Sequence, residues 1–485
     1  MHFLKRNFLQ HPKLALCSGI AAALFALPLA AQDTGQAQDD TDGLTEDQFM
    51  EEVLVTGVRR SLELALNAKR DSDSIMDGIA SEGIGKFPDL NLAEALSRVT
   101  GVQIDYSGPG GERREGQIAI RGLPNSFSRT QVNGQTLATP NFNGGFTFGS
   151  FESDVVSGVN VIKTPLAKYD EGGLSGIVDI RTLRPLDIRS TFLTVEVEGR
   201  YEETAEEWVP GLSASWARKF AEDTFGVYAS VKWSDQSFRT DSARINRYIT
   251  EDLDDDGLAD IYTPEEARYN SRTNEGDRLS AAGGIEWQAT DDLRFGLTGL
   301  YSSYALVNEF DQLRVQDGDV TGYNLVDGGR FGSTHTQAEW LNTEVDAESR
   351  IFDDEFYSWG LTGDVQWNIN ENWLATGVLH YSDAGYDRFA IQSRRNMRDR
   401  TGNGLDFFVD TGGNNYKNFL INPLNGDWTD PAWYSYGDNP TSDTVDEWRQ
   451  RFLSSRGTDR NETEQAAQID LSRMFHNTWI TSIDG

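Results

Sequence analysis

From residue 188 onward, apolar and polar side chains alternate with period two in segments of about ten residues, and few architectures accept that pattern. Phe225, Val227, Ala229, Val231 and Trp233 fall on one face, with Gly226, Tyr228, Ser230 and Lys232 on the other. The same alternation recurs from Leu293 to Gly299, from Trp359 to Trp367 and from Trp373 to Tyr381, with aromatics near both ends. One-sided apolar strands with aromatic ends are the signature of a membrane-spanning β-barrel. The connections alternate as well. Ala221-Glu222-Asp223, Ala289–Asp292, Asn368–Asn372 and Phe475–Thr478 read as short turns, whereas 235–277, 303–354 and 386–462 read as long polar loops. Short turns on one rim and long loops on the other fit a barrel. A soluble sandwich would also alternate, but three excursions of that length are unusual in a compact domain.

The N-terminus sets the compartment. Lys5, Arg6 and Lys13 precede an apolar run over 14–29, and Ala30-Ala31 closes it, so 1–31 read as a secretory signal peptide. The run is short for a spanning helix and contains Gly19 and Pro28. Cys17, the one cysteine, falls inside this leader. The chain carries 43 Lys and Arg against 77 Asp and Glu, a net charge of −34, which argues against nucleic acid as a partner. His335, His380 and His476 are scattered and no hydrolase or paired-cysteine motif occurs, so no enzyme and no resident cofactor are expected.

Residues 32–60 are an acidic, Gln-rich tail expected to be disordered, interrupted at 51–57 by Glu51, Glu52, Val53, Leu54, Val55, Thr56 and Gly57. Its β-branched centre suits pairing with another strand by backbone hydrogen bonds, or the opening strand of the next domain. Residues 61–187 mix helix, strand and turn signals into a small α+β domain. Leu92, Leu96 and Val99 share a helical face, with Asp89 before it and Gly101 after it. Val102–Ile104, Ile118–Ile120, Val155–Ile162 and Ile177–Ile180 read as strands, and Val132-Asn133-Gly134-Gln135 as a tight hairpin.

The stretches EEVLVTGVRRSL, IGKFPDLNLAEALSRVTGVQI, IAIRGL, VNGQTLA, VVSGVNVIKTP and YDEGGLSGIVDIRTLRPLD, in this order between a leader and a strand-rich region, resemble TonB-dependent outer-membrane receptors, in particular the Xanthomonas/Caulobacter-type subfamily. The resemblance implies an α+β plug domain over 61–187, followed over 188–485 by the N-terminal part of a transmembrane antiparallel β-barrel that is 22-stranded in the full-length family. It implies that 51–57 are the TonB box, engaged by TonB with its ExbB/ExbD energising complex, and that Arg121 makes a plug–barrel contact with carboxylates on the wall. It places the protein in the bacterial outer membrane, against its lipid. A barrel of ~22 strands needs roughly 500–700 residues, and 298 follow Asp187. About ten strands are recognisable, and the chain stops at Ile483-Asp484-Gly485. A truncated barrel that forms no stable pore by itself is therefore expected.

The mechanism this implies follows from a membrane that holds neither an ion gradient nor ATP. Uptake across it has to borrow work from elsewhere, and residues 32–57, extended, are a leash of ~90 Å. The loop residues Asn414-Asn415-Tyr416, Trp428, Trp433, Tyr434 and Tyr436 suit sugar stacking and hydroxyl bonding, and the resembled subfamily is linked to glycan uptake. An oligosaccharide is thus the leading ligand; a ferric siderophore, a porphyrin-type ligand or a vitamin is the alternative, and an adhesin without transport is the reading from another class. Asp252, Asp254, Asp256 and Asp260, with Gly257 between them, occupy oxygen-ligand positions of a Ca²⁺ loop, although Thr263 stands where its last Glu would be.

Overall fold

The computed structural model describes residues 65–80, 92–105, 117–140, 145–146, 148, 151–166, 169, 171–252, 257–326, 333–397, 404–412, 420–425, 450–475 and 482–484. All belong to one compact unit, Gly57–Gly485. The signal peptide, residues 51–57 and the loop aromatics from Asn414 to Tyr436 lie outside the described residues.

The N-terminal domain is built on a five-stranded sheet. Its strands are β1 (Met76–Ala80), β4 (Ser128–Val132), β5 (Gln135–Thr136), β6 (Gly158–Ile162) and β7 (Gly176–Arg181), in the order β1-β6-β7-β4-β5. Only β4 and β7 run parallel. A separate ribbon pairs β2 (Val102–Asp105) with β3 (Gln117–Ile120). The short helix α1 (Leu92–Leu96) buries Leu92 and Leu96 completely. Gly101 beyond it takes φ +75, the left-handed turn expected of a C-terminal glycine. Asn133 and Gly134 take φ 50 and 86, so the hairpin reads as the sequence predicts. Its turn is held from β7, where buried Asp179 accepts from the Gly134 amide at 2.9 Å.

The rest of the described strands form one sheet, antiparallel except where Ile261 and Tyr262 pair parallel with Ser333 and Thr334. Its main path runs β19 (Ser482–Asp484), β18 (Gln450–Met474), β15 (Trp373–Met397), β14 (Ser333–Asn370), β12 (Leu293–Gln316), β11 (Ile261–Thr290), β10 (Phe225–Glu251), β9 (Glu207–Phe220) and β8 (Phe192–Glu202). Among the described residues β8 pairs only with β9 and β19 only with β18, so the sheet is open. Residues 221–224, 291–292 and 371–372 are tight turns on one rim, stitched together by the Gln288 amide to Thr224 and the Asn368 amide to Asp292.

The long connections depart from expectation. Much of 235–277, 303–354 and 386–462 is strand: β10 runs 27 residues, β11 30 and β14 38. A ladder needs only paired backbones, so it continues after the apolar alternation stops. Beyond that point polar cross-strand pairs hold it, as where Arg388 grips Asp354 with both guanidinium arms at 2.5 and 2.6 Å. At the far end β13 (Asp319–Val326) and β16 (Leu405–Asp410) pair with residues 334–343 of β14, and β17 (Leu420–Pro423) pairs with β16. They enclose a second core in which Trp340, Phe407, Val345 and Val315 are buried.

Candidate functional site: the inner wall and its seam with the small domain

Strand alternation gives the wall two faces, and the small domain identifies the inner one. On β10 to β18, even-numbered residues meet it. Ser234 Oγ donates to Glu152 at 2.6 Å, and the Glu152 amide donates to Ser280 Oγ at 3.2 Å. Ser382 Oγ accepts from the Ala138 amide at 2.9 Å, Ser358 Oγ donates to the Ala138 carbonyl at 3.1 Å, and Glu462 accepts from the Thr139 amide at 3.1 Å. Contacts from β10 round to β18 onto one small domain require the sheet to curve about it. The seam is tightest where the two parts join covalently. Glu286 on β11, 4% exposed, accepts from Arg184 at 2.9 Å, from the Leu186 amide at 3.0 Å and from Arg294 at 2.6 Å.

The odd-numbered face is apolar over a band. Leu379, Leu361, Leu297 and Ile285 are exposed, and Ile469 reaches 85%. Trp287, Phe295 and Trp367 edge the band on the tight-turn side, and Trp233, Trp359 and Tyr381 edge it on the other. The two edges lie ~27 Å apart along a strand. The exposed apolar surface is therefore contiguous and bordered by aromatics on both edges.

Beyond the small domain the faces separate by charge. Register places Arg278, Arg272, Arg350, Arg388, Arg456 and Arg460 on the inner face, and Asp235, Asp277, Glu355, Asp387 and Asp459 on the outer. Inner carboxylates are fewer, and Asp346 is clasped by both Arg314 and Arg394. Aromatic rings lie among the cations. Arg272 and Arg350 stand 5.0 and 5.4 Å from the Phe310 ring, and Arg388 stands 4.8 Å from Phe352. Tyr304 and Phe356 stack at 5.0 Å. The buried Asn274 presents an Nδ2 without an acceptor among the described residues. Guanidinium groups interleaved with ring faces can bind anions and flat, conjugated groups.

The dipeptides Asp277-Arg278, Asp387-Arg388 and Asp459-Arg460 carry this separation in the sequence. In a strand, adjacent residues point to opposite faces. Such a dipeptide inside an extended ladder therefore sends the acid out and the base in. That signal was legible only once these segments were known to be strands rather than loops.

Other expected residues are placed as follows. Arg121, at φ 56, donates to the Lys163 carbonyl at 2.6 Å, a bond inside the small domain. Asp252 accepts from the Gly257 amide at 2.7 Å, and Gly257 takes φ 86; Asp254 and Asp256 lie outside the described residues. Among the described residues no group of three or more His, Cys, Asp or Glu is placed to hold a metal.

One ion cluster ties the domain's first strand. Asp77 on β1 receives Lys69 at 2.5 Å and also Lys163. Burial pushes its carboxyl up, but the two ammonium groups outweigh burial and hold it below the ordinary 3.8. A depressed carboxylate stabilises the fold above its unfolded pKa and loses that contribution as pH falls through the folded one. Asp77→Asn is expected to lower stability at neutral pH and to flatten the acid limb. Urea midpoints of the two proteins should converge as pH falls through the lowered folded pKa of Asp77. Parallel curves down to that pH would reject the cluster as the cause.

Comparison with known proteins bears on these parts unequally. Residues 68–177 match the family model of the TonB-dependent receptor plug domain, so the small domain is a plug. No curated protein sequence matches the chain. Among solved structures the chain is similar to the unliganded ferric citrate transporter FecA, at 11% identity and a TM-score of 0.33, covering 85% of this chain and 62% of that one. It is similar to a mutant ferric enterobactin receptor, PfeA, from Pseudomonas aeruginosa in complex with enterobactin, at 11% identity, TM-score 0.34, and 85% and 62% coverage. It is also similar to the siderophore receptor PiuA from Acinetobacter baumannii, at 12% identity, TM-score 0.29, and 84% and 71% coverage. The chain thus spans about 62% of the length of the first two.

Proposed function

We propose that this chain is the plug-bearing part of a TonB-dependent outer-membrane transporter, and that its ligand is an anion carrying flat or aromatic groups. The plug match and the apolar outer band support the first half; the motif strings of residues 51–187 favour the Xanthomonas/Caulobacter-type subfamily. In this reading residues 51–57 are the TonB box, energised through ExbB/ExbD, and the band faces outer-membrane lipid.

The inner arginine and aromatic wall carries the second half. The chain's net charge of −34 weighs against an anionic ligand only if charge is spread evenly. Here the outer face takes many of the acids, and the inner face carries arginines interleaved with the carboxylates Asp346, Glu348 and Asp354 that pair with them, so a ligand entering above the plug meets more arginines than acids. An oligosaccharide has less to gain there, because neutral hydroxyls do not need guanidinium groups. A ferric siderophore with catecholate or carboxylate arms fits this chemistry. The reading is tested with Arg272→Ala/Arg350→Ala, which strips both cations from Phe310. Losing charged hydrogen-bonding partners costs about 2–5 kcal/mol in binding, so affinity for an anionic ferric siderophore should fall at least ~30-fold. Binding of a neutral oligosaccharide with unchanged affinity in the same variant, and no siderophore binding by the parent, would reverse the choice.

Calcium in the Asp252–Asp260 loop is a second, separate proposal. Gly257 already makes the positive-φ turn that such a loop needs at its sixth position. Calorimetry on a peptide spanning 250–268 should detect binding in the millimolar range typical of extracellular sites; silence there removes the proposal.

A further inference from the structure

We propose that Lys232 is a two-way latch: it holds the plug carboxylate Glu152 while the plug is seated, and it passes to wall carboxylates on β8 when that part of the plug withdraws. The proposal deepens the transporter reading, in which the plug has to leave its seat and return to it.

The lysine stands between acids of two different parts. It lies on the inner face of β10 and is 4% exposed. Its ammonium is 4.0 Å from a carboxylate oxygen of the buried Glu152 and 3.3 Å from one of Glu198. Glu152 lies within the plug match, whereas Glu198 is on the first strand of the wall. Glu198 reaches the lysine across β9 because Gly211, paired with it, leaves the space. A Cβ on Gly211 would stand 2.7 Å from the Glu198 Cγ. Glu196 is in line with Ser213 and Lys232 on the same face.

This arrangement decides what unseating costs. As the plug lifts, water can replace the serine partners of Glu152. It cannot as easily replace a carboxylate beside a cation held in so dry a place. Lysine has a flexible stem and three rotatable donors, so it can turn from one acid to another without the backbone moving. With the β8 acids in reach, withdrawal of Glu152 leaves no unpaired buried cation. The same acids compete for the ammonium in the seated state and weaken its grip on the plug. Opposite signs follow. Neutralising Glu152 loosens the seat, and neutralising the β8 acids tightens it. A cluster that merely packs the seam loosens with either change.

The test follows hydrogen exchange at the amide of residue 152 in the full chain folded in detergent. That amide donates to Ser280 across the seam and exchanges when the segment lifts. The Gly134 amide, bonded to Asp179 inside the plug, is the control. Glu152→Gln should speed exchange at the seam by ~10-fold or more. Glu196→Gln/Glu198→Gln should slow it several-fold, with the control unmoved in both. Gly211→Ala crowds Glu198 away from the lysine while keeping every charge; it should also slow the seam, and it gives the readout if the double variant does not fold. Faster or unchanged exchange in the β8 and Gly211 variants, or slower or unchanged exchange in Glu152→Gln, overturns the latch. Failure of the transporter reading shows separately, as no accumulation of ligand by cells carrying the parent.

Discussion

Val55→Pro is expected to abolish energised uptake while leaving ligand capture intact. In the proposed mechanism Val53 to Thr56 add a strand to the edge of a TonB sheet, and backbone hydrogen bonds carry the affinity. Proline removes one donor and fixes φ near −65°. A lost ladder bond with the associated strain is worth about 2–3 kcal/mol, or a partner affinity ~30–150-fold weaker. Because uptake needs the partner to hold under load, a loss of that size is amplified into failure. The measurement compares accumulation of labelled ligand in energised cells with binding in cells whose proton gradient is collapsed. Uptake at the parental rate would remove residues 51–57 from the mechanism. The contrasting substitution is Val55→Ile, which keeps the donor and the β-branched side chain and should transport normally.

How much of this was legible in the sequence depends on which interaction carried each feature. The band of Trp233, Leu297, Leu361 and Leu379 was visible because an apolar outer side and a plug-facing inner side force a strict alternation. The Asn133-Gly134 hairpin was visible because only a few residues accept positive φ at both positions. The strand extensions were not. Segments such as 266–278 are polar on both faces, so composition imitates a loop while the ladder continues through cross-strand pairs such as Gln312 with Asn270 at 2.8 Å. The inner arginines were hidden by the same error, since the face of a residue has no meaning until its segment is a strand. Net charge then misled in a second way. A sum over the chain cannot show that Asp387 and Arg388, adjacent in sequence, stand on opposite sides of a sheet.

The described part of the seam centres on a residue other than the one the motif named. Arg121 in the Ile-Arg-Gly stretch reaches Lys163 of the plug itself, while the wall carboxylate with the most plug contacts described is Glu286. Glu286→Ala is expected to loosen the plug's attachment strongly. It leaves Arg184, Arg294 and the Leu186 amide facing a gap at a position only 4% exposed. Removing one side of a buried ion pair costs about 3–5 kcal/mol. Arg184 is nearly half exposed and can turn toward Asp364, at 3.4 Å, so about 2–3 kcal/mol remains. The loss should appear as protease cleavage near residues 184–191 at urea concentrations where the parent resists. Glu286→Gln keeps an acceptor for the Leu186 amide and should fall between the two. The two large effects then separate by location. Val55→Pro leaves the plug seated and disconnects the handle, whereas Glu286→Ala keeps the handle and weakens the seat. The second variant should therefore bind TonB normally yet release its plug under less load. An unchanged protease profile in Glu286→Ala would mean that the serine and backbone contacts of Glu152, Ala138 and Thr139 hold the plug without it.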